Sequence, residues 1–350
     1  MRKYEVALSK ESKRLPPVNQ WICPNYIGEI SEFDHELGKE VNFPKNWRTD
    51  FPIYDYKISS FEKIDYAYYL ESSDAQEISQ KFNAEQVTEK WIDYYEIFSD
   101  SMDEVLTKIS KRRNRTRAYR SFHAYTTDAI YALNHHIRTR YPGVFWNWMA
   151  STERVITKTP YVPGASKDLY ARYPDPWIFG AEGDGNLRSS DNIRSISNTI
   201  ELVQLFTAPL HLGHILLMAQ ILSRGGMAIF HEDQIDNIFK LCLIDTLCCC
   251  FDNVAVIKPN SNSEVLYYIC TDFKSIGKSH LKRMEQILRY TNNLDDPPAL
   301  FPRDRITSEF IVEFCDALVK ATFRRKKKEL SKWIKATGIQ PIRDTAKLLK

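Results

Sequence analysis

Several features that mark other protein classes are missing from this 350-residue sequence. No apolar run reaches the roughly 18 residues that indicate a membrane-spanning helix. The seven cysteines have no metal-ligand spacing, because the three at positions 248–250 are consecutive and their side chains diverge. The net charge is only +3, so any contact with nucleic acid must come from local clusters of cations. We therefore expect no membrane span and no metal site.

The cysteine count also bears on the compartment. An odd number of cysteines without a recognisable signal peptide favours reduced, buried thiols. We accordingly expect an intracellular protein in a reducing environment, with the cytoplasm and a virion as the candidate locations.

What the sequence does contain is a strong α/β pattern between residues 199 and 270. Short apolar runs rich in β-branched and aromatic residues predict strands, and two longer apolar segments predict helices. In chain order they read strand, helix, strand, helix, strand, strand, at 200–207, 211–222, 227–230, 235–251, 254–259 and 265–270. This alternation predicts a mostly parallel sheet with helices on both faces, closed by an antiparallel C-terminal hairpin.

The flanking sequence extends this α/β domain. Strands are predicted at 121–125 and 144–149, around a helix at 128–138 that Thr126 or Thr127 would cap. A helix at 76–99, interrupted around Asn83, precedes them, whereas residues 151–198 are expected to be mostly loop and to include a binding surface. Helices are predicted at 279–290 and 307–336. We expect an irregular N-terminal arm (1–60), the α/β domain (61–275) and a C-terminal helical extension (276–350).

Short motifs in this region resemble, in order and spacing, those of a known family. They are Gly183-Asp184-Gly185-Asn186-Leu187, Asp191-Asn192-Ile193, Gly225-Gly226, Cys249-Cys250-Phe251, Lys258-Pro259 and Asn262-Ser263-Glu264, together with the segment 87–96. Over residues 85–272 the chain resembles FtsJ-type (RrmJ-like) RNA ribose 2′-O-methyltransferases. The resemblance is greatest to mRNA cap enzymes of animals and of viruses of the asfarvirus and poxvirus type. It implies a Rossmann-like, seven-stranded methyltransferase fold and S-adenosylmethionine as the family's cofactor.

The family's cofactor turn is not preserved. Where the family has Pro-Gly-Gly-Phe after the first strand, this chain has no glycine between Arg120 and Arg140. A glycine is needed there because the cofactor approaches the backbone so closely that a Cβ atom would collide. The corresponding positions here are Tyr125, Thr126, Thr127 and Asp128, which an ordinary strand-to-helix turn also explains. We expect no cofactor to bind.

The family's Lys-Asp-Lys-Glu catalytic set is also degenerate. Its four positions align with Asp93, Pro209, His231 and Glu264, so the lysine that would activate a ribose 2′-hydroxyl is absent. His231 with Glu264 is an alternative base, because histidine titrates near neutrality, although a lone histidine at a strand end is more often structural. We therefore expect no catalytic residues.

A cluster of cations precedes the first core strand. The candidate RNA-binding residues are Lys111, Arg112, Arg113, Arg115 and Arg117, and a solvated loop is the alternative interpretation.

Three functions follow from these observations. The favoured one is a pseudo-methyltransferase that acts as an RNA-binding, scaffolding or stimulatory subunit of a viral RNA-capping or RNA-processing machine. Its partners would be a protein of a capping or transcription complex and RNA, without a membrane. The alternatives are an active S-adenosylmethionine-dependent RNA 2′-O-methyltransferase and a structural assembly component that does not bind RNA.

Overall fold

A seven-stranded sheet forms the centre of the protein. The computed structural model describes residues 6–7, 15, 17, 21, 72–110, 118–157, 160–232, 238–259, 265–291, 300, 310, 314 and 330–342. The strands are β1 (Val6–Ala7), β2 (Tyr119–Ala124), β3 (Trp146–Ser151), β4 (Val203–Pro209), β5 (Leu222–Glu232), β6 (Phe251–Ile257) and β7 (Leu266–Phe273). Their order across the sheet is β1-β6-β7-β5-β4-β2-β3.

The pairing of the strands is mixed in direction. Strand β2 runs parallel to β3 and to β4, and β4 runs parallel to β5. Strand β7 is antiparallel to both β5 and β6, so the last two strands form the predicted hairpin. The Rossmann-like α/β fold is therefore confirmed.

Helices cover the sheet on both faces. They are α1 (Ser72–Phe82), α2 (Glu89–Ser101), α3 (Asp103–Ser110), α4 (Thr127–Arg140), α5 (Lys167–Arg172), α6 (Ser190–Thr199), α7 (Leu212–Ile221), α8 (Ile238–Cys250), α9 (Lys278–Thr291) and α10 (Leu330–Thr337). Alternate residues of β2 enter different cores, because successive strand side chains point to opposite faces. Phe122 belongs to the core shared with α7 and α8, whereas Tyr119 packs with α2 and α4. None of the described helices is both long and apolar enough to cross a lipid bilayer.

The seventh strand is the two-residue β1, with which the N-terminal arm pairs antiparallel to β6 at one edge of the sheet. Two details differ from the sequence-based expectations. The tract 151–198, expected to be mostly loop, contains helices α5 and α6. The strand predicted at 227–230 begins earlier, at Leu222, and therefore includes Gly225 and Gly226. The predicted break at Asn83 is confirmed, since this residue adopts a positive φ of 52° just after α1.

Several predictions fall on residues outside the described ranges. These are most of the N-terminal arm, the basic segment 111–117, Glu264 and much of the helix predicted at 307–336. The three-part domain division stays a prediction.

Candidate functional site

The candidate site lies where the carboxyl ends of β2 and β4 meet. From β2 the chain passes through α4 to β3 on one side of the sheet, and from β4 it passes through α7 to β5 on the other. The connections thus diverge between these two neighbouring strands. In open α/β sheets, ligands bind in the crevice outside the strand ends at such a switch point.

The side chain of Tyr125 spans this crevice. The residue follows β2 directly and has a φ of 57°, a left-handed conformation that normally favours glycine. Its hydroxyl donates a hydrogen bond to the Gly185 carbonyl at 3.1 Å, and its ring centroid lies 5.4 Å from that of His214 in α7. The backbone therefore has the conformation of a glycine turn, but a half-buried aromatic ring extends from it across the strand ends.

The two threonines after Tyr125 form buried hydrogen bonds. The hydroxyl of Thr126 lies 2.6 Å from that of Thr207 on β4, and the hydroxyl of Thr127 lies 2.5 Å from that of Ser166. Thr126 is the N-cap residue of α4, but its side chain makes no capping hydrogen bond to that helix. Asp128 accepts a hydrogen bond from Thr88 at 2.5 Å, which links the start of α4 to the start of α2. All four positions of the turn are thus engaged in contacts within the protein.

A buried histidine supports this turn from within the sheet. His123 Nδ1 lies 2.8 Å from the Thr207 hydroxyl, and Nε2 lies 2.8 Å from the Ser121 hydroxyl. Burial lowers the pKa of His123 to about 3, because the surroundings disfavour the charged imidazolium. The imidazole is consequently neutral near pH 7 and fixes the ends of β2 and β4 relative to each other.

The loop 180–187 forms the opposite wall of the crevice. The fully buried Asn192 holds it, since its amide nitrogen donates to Asp184 Oδ1 at 2.6 Å and its oxygen accepts from the Glu182 backbone at 2.8 Å. At Gly185 the φ is 72°, and an added Cβ atom would lie 1.9 Å from the Thr152 carbonyl oxygen. The Gly-Asp-Gly-Asn motif therefore builds a tight loop beside the ends of β2 and β3.

Three of the four aligned catalytic positions come together near this edge. Pro209 and His231 are register partners at the ends of β4 and β5, and Asp93 in α2 accepts a 3.1 Å hydrogen bond from Tyr267. The Tyr94 hydroxyl, next along α2, lies 3.1 Å from His231 Nδ1. Glu264, the fourth position, is outside the described residues.

The environment of His231 keeps its imidazole neutral. Burial is the largest cause, followed by the positive charge of Lys90, and together with weaker contributions they lower the pKa of His231 to about 3. A group with this pKa is a weak base near pH 7.

Sequence reasoning missed two residues at this edge. Glu153 is exposed just after β3, and its charge helps burial to raise the pKa of Tyr125. An acidic residue after the second strand of a dinucleotide-binding fold commonly accepts hydrogen bonds from a ribose, so its position could have signalled a role. Tyr267 gave no comparable signal, because its bond to Asp93 joins residues 174 positions apart.

Known proteins provide an independent comparison. No protein-family model matches the sequence. The chain is 25% identical over 263 residues to the zebrafish (Danio rerio) protein "Cap-specific mRNA (nucleoside-2'-O-)-methyltransferase 2", covering 65% of this chain and 34% of that protein. It is 22% identical to the protein of the same name from Pongo abelii, covering 88% of this chain and 43% of that protein. The chain is a relative of the cap 2′-O-methyltransferases.

This cap-methyltransferase relative also has a viral counterpart. It is 25% identical over 279 residues to "Uncharacterized protein L511" of Acanthamoeba polyphaga mimivirus, covering 71% of this chain and 32% of that protein. The predicted resemblance to animal and viral proteins is therefore confirmed. The chain spans about a third of the length of the zebrafish and mimivirus proteins.

Solved structures of methyltransferases show only distant similarity to the structure of this chain. One is human methyltransferase-like protein 13 in complex with SAH, at 10% identity and a TM-score of 0.32, over 58% of this chain and 96% of that one.

Proposed function

We propose that this relative of the cap 2′-O-methyltransferases has lost methyl transfer. It acts instead as an RNA-binding, scaffolding or stimulatory subunit of an RNA-capping or RNA-processing machine, which we expect to be viral. The observation that carries the proposal is the Tyr125 side chain, which spans the crevice between the ends of β2 and β4 and contacts both Gly185 and His214.

The residues at the turn do not fit S-adenosylmethionine. A cofactor bound at the switch point has to approach the backbone after β2 closely, and a glycine permits this because it has no Cβ atom. Here Tyr125 keeps the left-handed backbone but extends a ring into the crevice. Its contacts to Gly185 and His214 would have to break before a ligand could take that space.

The polar groups at the aligned catalytic positions support the same proposal. Activation of a ribose hydroxyl needs a base whose pKa is near the working pH. Neither Asp93 nor Pro209 provides a lysine, and the pKa of His231 is about 3. The Tyr94 hydroxyl also lies within hydrogen-bonding distance of His231 Nδ1, which limits the access of a substrate to this atom.

A methyl-transfer assay tests the proposal. The purified chain is incubated with methyl-labelled S-adenosylmethionine and capped or uncapped RNA, alone and with candidate capping proteins, beside an active cap methyltransferase as the positive control. We expect no label in RNA from the chain alone, and any stimulated transfer should persist when Glu264 is changed to Ala. Incorporation by the chain alone that disappears in Glu264→Ala would instead establish an enzyme.

An active 2′-O-methyltransferase with a diverged site is the second candidate. The observation in its favour is that Glu153 and the loop 180–187 remain at the carboxyl edge, where the family's cofactor would bind. For this candidate Tyr125 would have to swing out of the crevice when the cofactor binds. The Glu264→Ala comparison separates the two candidates.

RNA binding is a separate part of the proposal and rests on the sequence of the basic segment 111–117. Contacts between cations and phosphates release counterions, so affinity should fall steeply as salt is added. In a filter-binding assay we expect salt-dependent retention of RNA that decreases when Arg112, Arg113 and Arg115 are changed together to Ala. No retention of RNA at low salt would favour a structural assembly component.

A further inference from the structure

A group of cations lies at the amino edge of the sheet, where β2, β4, β5 and β6 begin and the antiparallel β7 ends. Phe273, the last residue of β7, is the register partner of Phe251, the first residue of β6. Arg224 lies near the beginning of β5, and its guanidinium donates a 3.4 Å hydrogen bond to the Ser275 hydroxyl. Helix α9 begins at Lys278, three residues after Ser275. The start of α9 therefore lies beside the start of β5, at the edge opposite the candidate site.

Positive charge is concentrated where β7 is joined to α9. Residues 274–283 contain four cations and no acid, although the net charge of the whole chain is only +3. Together with Arg224 they form the amino-edge patch, and the four are Lys274, Lys278, Lys282 and Arg283. Asp252 pairs with Lys274 at 3.6 Å. Asp272 accepts a 3.3 Å hydrogen bond from Asn253. The three cations of α9 have no ion-pair partner in the described part of the chain, so the patch keeps an excess of positive charge.

The two exposed lysines of the patch are placed unfavourably for the stability of α9. Lys278 and Lys282 are four residues apart, so their side chains lie on the same face of the helix, about 6 Å apart along its axis. Like charges at this spacing repel each other, and cations near the amino end of a helix oppose its macrodipole. The first turn of α9 contains no acidic residue that would offset these effects. Local conflicts of this kind are expected at functional sites, and a negatively charged ligand would relieve this one.

The backbone that leads into α9 is strained. Asp272 has a φ of 62° and Ser275 a φ of 140°, both in the range that favours glycine. Among the described residues other than glycine, five have a positive φ, and these two are only three positions apart. Strain of this kind persists where the surrounding contacts hold it, and it is concentrated at functional sites. Here it accompanies the contact that holds Ser275 beside Arg224.

We infer that the amino-edge patch binds the phosphate backbone of RNA, an inference that rests on the RNA-binding part of the proposed function. Lysine binds phosphate as a point charge without a fixed geometry, so a patch rich in lysine suits a repeating polyanion better than a single carboxylate. The basic segment 111–117 immediately precedes β2 in the sequence, and β2 also begins at the amino edge. Only β4 separates β2 from β5, so the two strands are about 10 Å apart. An extended RNA strand has the length to contact both basic regions.

The position of the patch separates RNA binding from the crevice at Tyr125. Strand β4 has seven residues and connects the two edges of the sheet, which are therefore about 20 Å apart. RNA held along the amino edge does not need the crevice to be open. The patch thus gives this chain a way to hold RNA that is independent of its methyltransferase-like site, as a scaffolding or stimulatory subunit requires.

The salt dependence of RNA binding tests the inference. Fluorescence anisotropy measures the affinity of the full chain for a labelled uridine oligonucleotide of about 20 residues, longer than a typical single-strand site. The variant carries both Lys278→Ala and Lys282→Ala. It should bind more weakly, and its slope of log affinity against log salt should be less steep by about 1.4, since each phosphate contact contributes about 0.7. The advantage of the wild type should consequently shrink about sevenfold between about 50 and 200 mM salt. RNA of mixed sequence should give the same result, because phosphate contacts carry no sequence information.

A second double variant controls for the loss of charge. Lys167→Ala with Lys335→Ala also removes two exposed lysines, but from α5 and α10, which pack on the other face of the sheet from α9. This control should bind RNA as the wild type does. Thermal melts control for the fold. The variant at 278 and 282 should melt no lower than the wild type, because it removes like-charge repulsion and two cations near the amino end of a helix.

Several results would overturn the inference. If the salt slope is unchanged in the variant at 278 and 282 but falls when Arg112, Arg113 and Arg115 are changed to Ala, RNA binds without the patch and the proposed function still stands. No binding of RNA by the wild type at low salt would overturn both. Displacement of the RNA by poly-glutamate as effectively as by unlabelled RNA would assign the patch to an acidic protein segment instead. A lowered melting temperature of the variant would assign the two lysines to the fold. Methyl transfer by the chain would contradict the proposed loss of activity while leaving the predicted change of slope as the support for the patch.

Discussion

The left-handed backbone at Tyr125 leads to an unusual prediction: glycine at this position should give a more stable protein than alanine. An L-residue other than glycine in this conformation costs about 1–2 kcal/mol, whereas glycine adopts it freely. Tyr125 has a φ of 57°, so some of its stabilising contacts offset backbone strain. Replacement by Ala keeps the strain and loses the contacts, while replacement by Gly loses the contacts and relieves the strain.

The magnitudes follow from the contacts of the ring. Loss of the hydrogen bond to Gly185 costs about 1 kcal/mol, and loss of the half-buried ring beside His214 costs about 2 kcal/mol. We therefore expect Tyr125→Ala to lower the free energy of unfolding by about 3 kcal/mol. Tyr125→Gly should lower it by about 2 kcal/mol, because about 1 kcal/mol of strain is relieved.

Urea denaturation of both variants measures this difference. The control is Tyr131, which is buried inside helix α4, where glycine should be less stable than alanine by about 1 kcal/mol. The order of stability of the Gly and Ala variants should thus reverse between the two positions. If Tyr125→Ala is as stable as Tyr125→Gly, the left-handed conformation and the reasoning built on it are wrong.

Three further predictions concern the walls of the crevice. Gly185→Ala should destabilise the fold by about 3 kcal/mol in a thermal melt, because the new Cβ atom would meet a carbonyl oxygen and the φ of the residue is positive. The control is Gly143→Ala, which should be nearly neutral because the space around Gly143 is open. The pKa of His123 is about 3 in the folded protein and 6.5 in the unfolded chain, so the unfolded chain binds more protons between these pH values. The free energy of unfolding should therefore fall as the pH drops below 6.5. In urea titrations His123→Gln should reduce the slope of this fall by up to about 1.4 kcal/mol per pH unit. Tyr267→Phe should cost about 1–3 kcal/mol in urea denaturation, because it removes a donor from the buried Asp93 carboxyl group.

Much of the fold could be predicted because it depends on local periodicity. The apolar runs between 199 and 270 predicted the succession of strands and helices along the chain and the C-terminal hairpin. The break at Asn83 followed from the interruption of a helical pattern. The tract 151–198 was harder, because α6 is short and its sequence is rich in polar residues. Its helix is stabilised by a Ser189 cap and by the buried Ile193 and Ile196.

The candidate site was predicted only in outline. The sequence led to the prediction that Tyr125 obstructs a cofactor, and this stays a prediction. The hydrogen bond from Tyr125 to Gly185 could not be foreseen, because it joins residues 60 positions apart and leaves no periodic signal. The same holds for the Tyr94–His231 contact, across 137 positions. The edge strand β1 also depends on a long-range pairing, with β6, that no local pattern indicates.

Isothermal titration of the wild-type chain with S-adenosylmethionine tests the central claim most directly, since the claim is that Tyr125 takes the space where the cofactor would bind. The account predicts no heat of binding for the wild type, and Tyr125→Gly is the variant in which a weak signal should first emerge. Micromolar affinity of the wild type for S-adenosylmethionine would contradict the account.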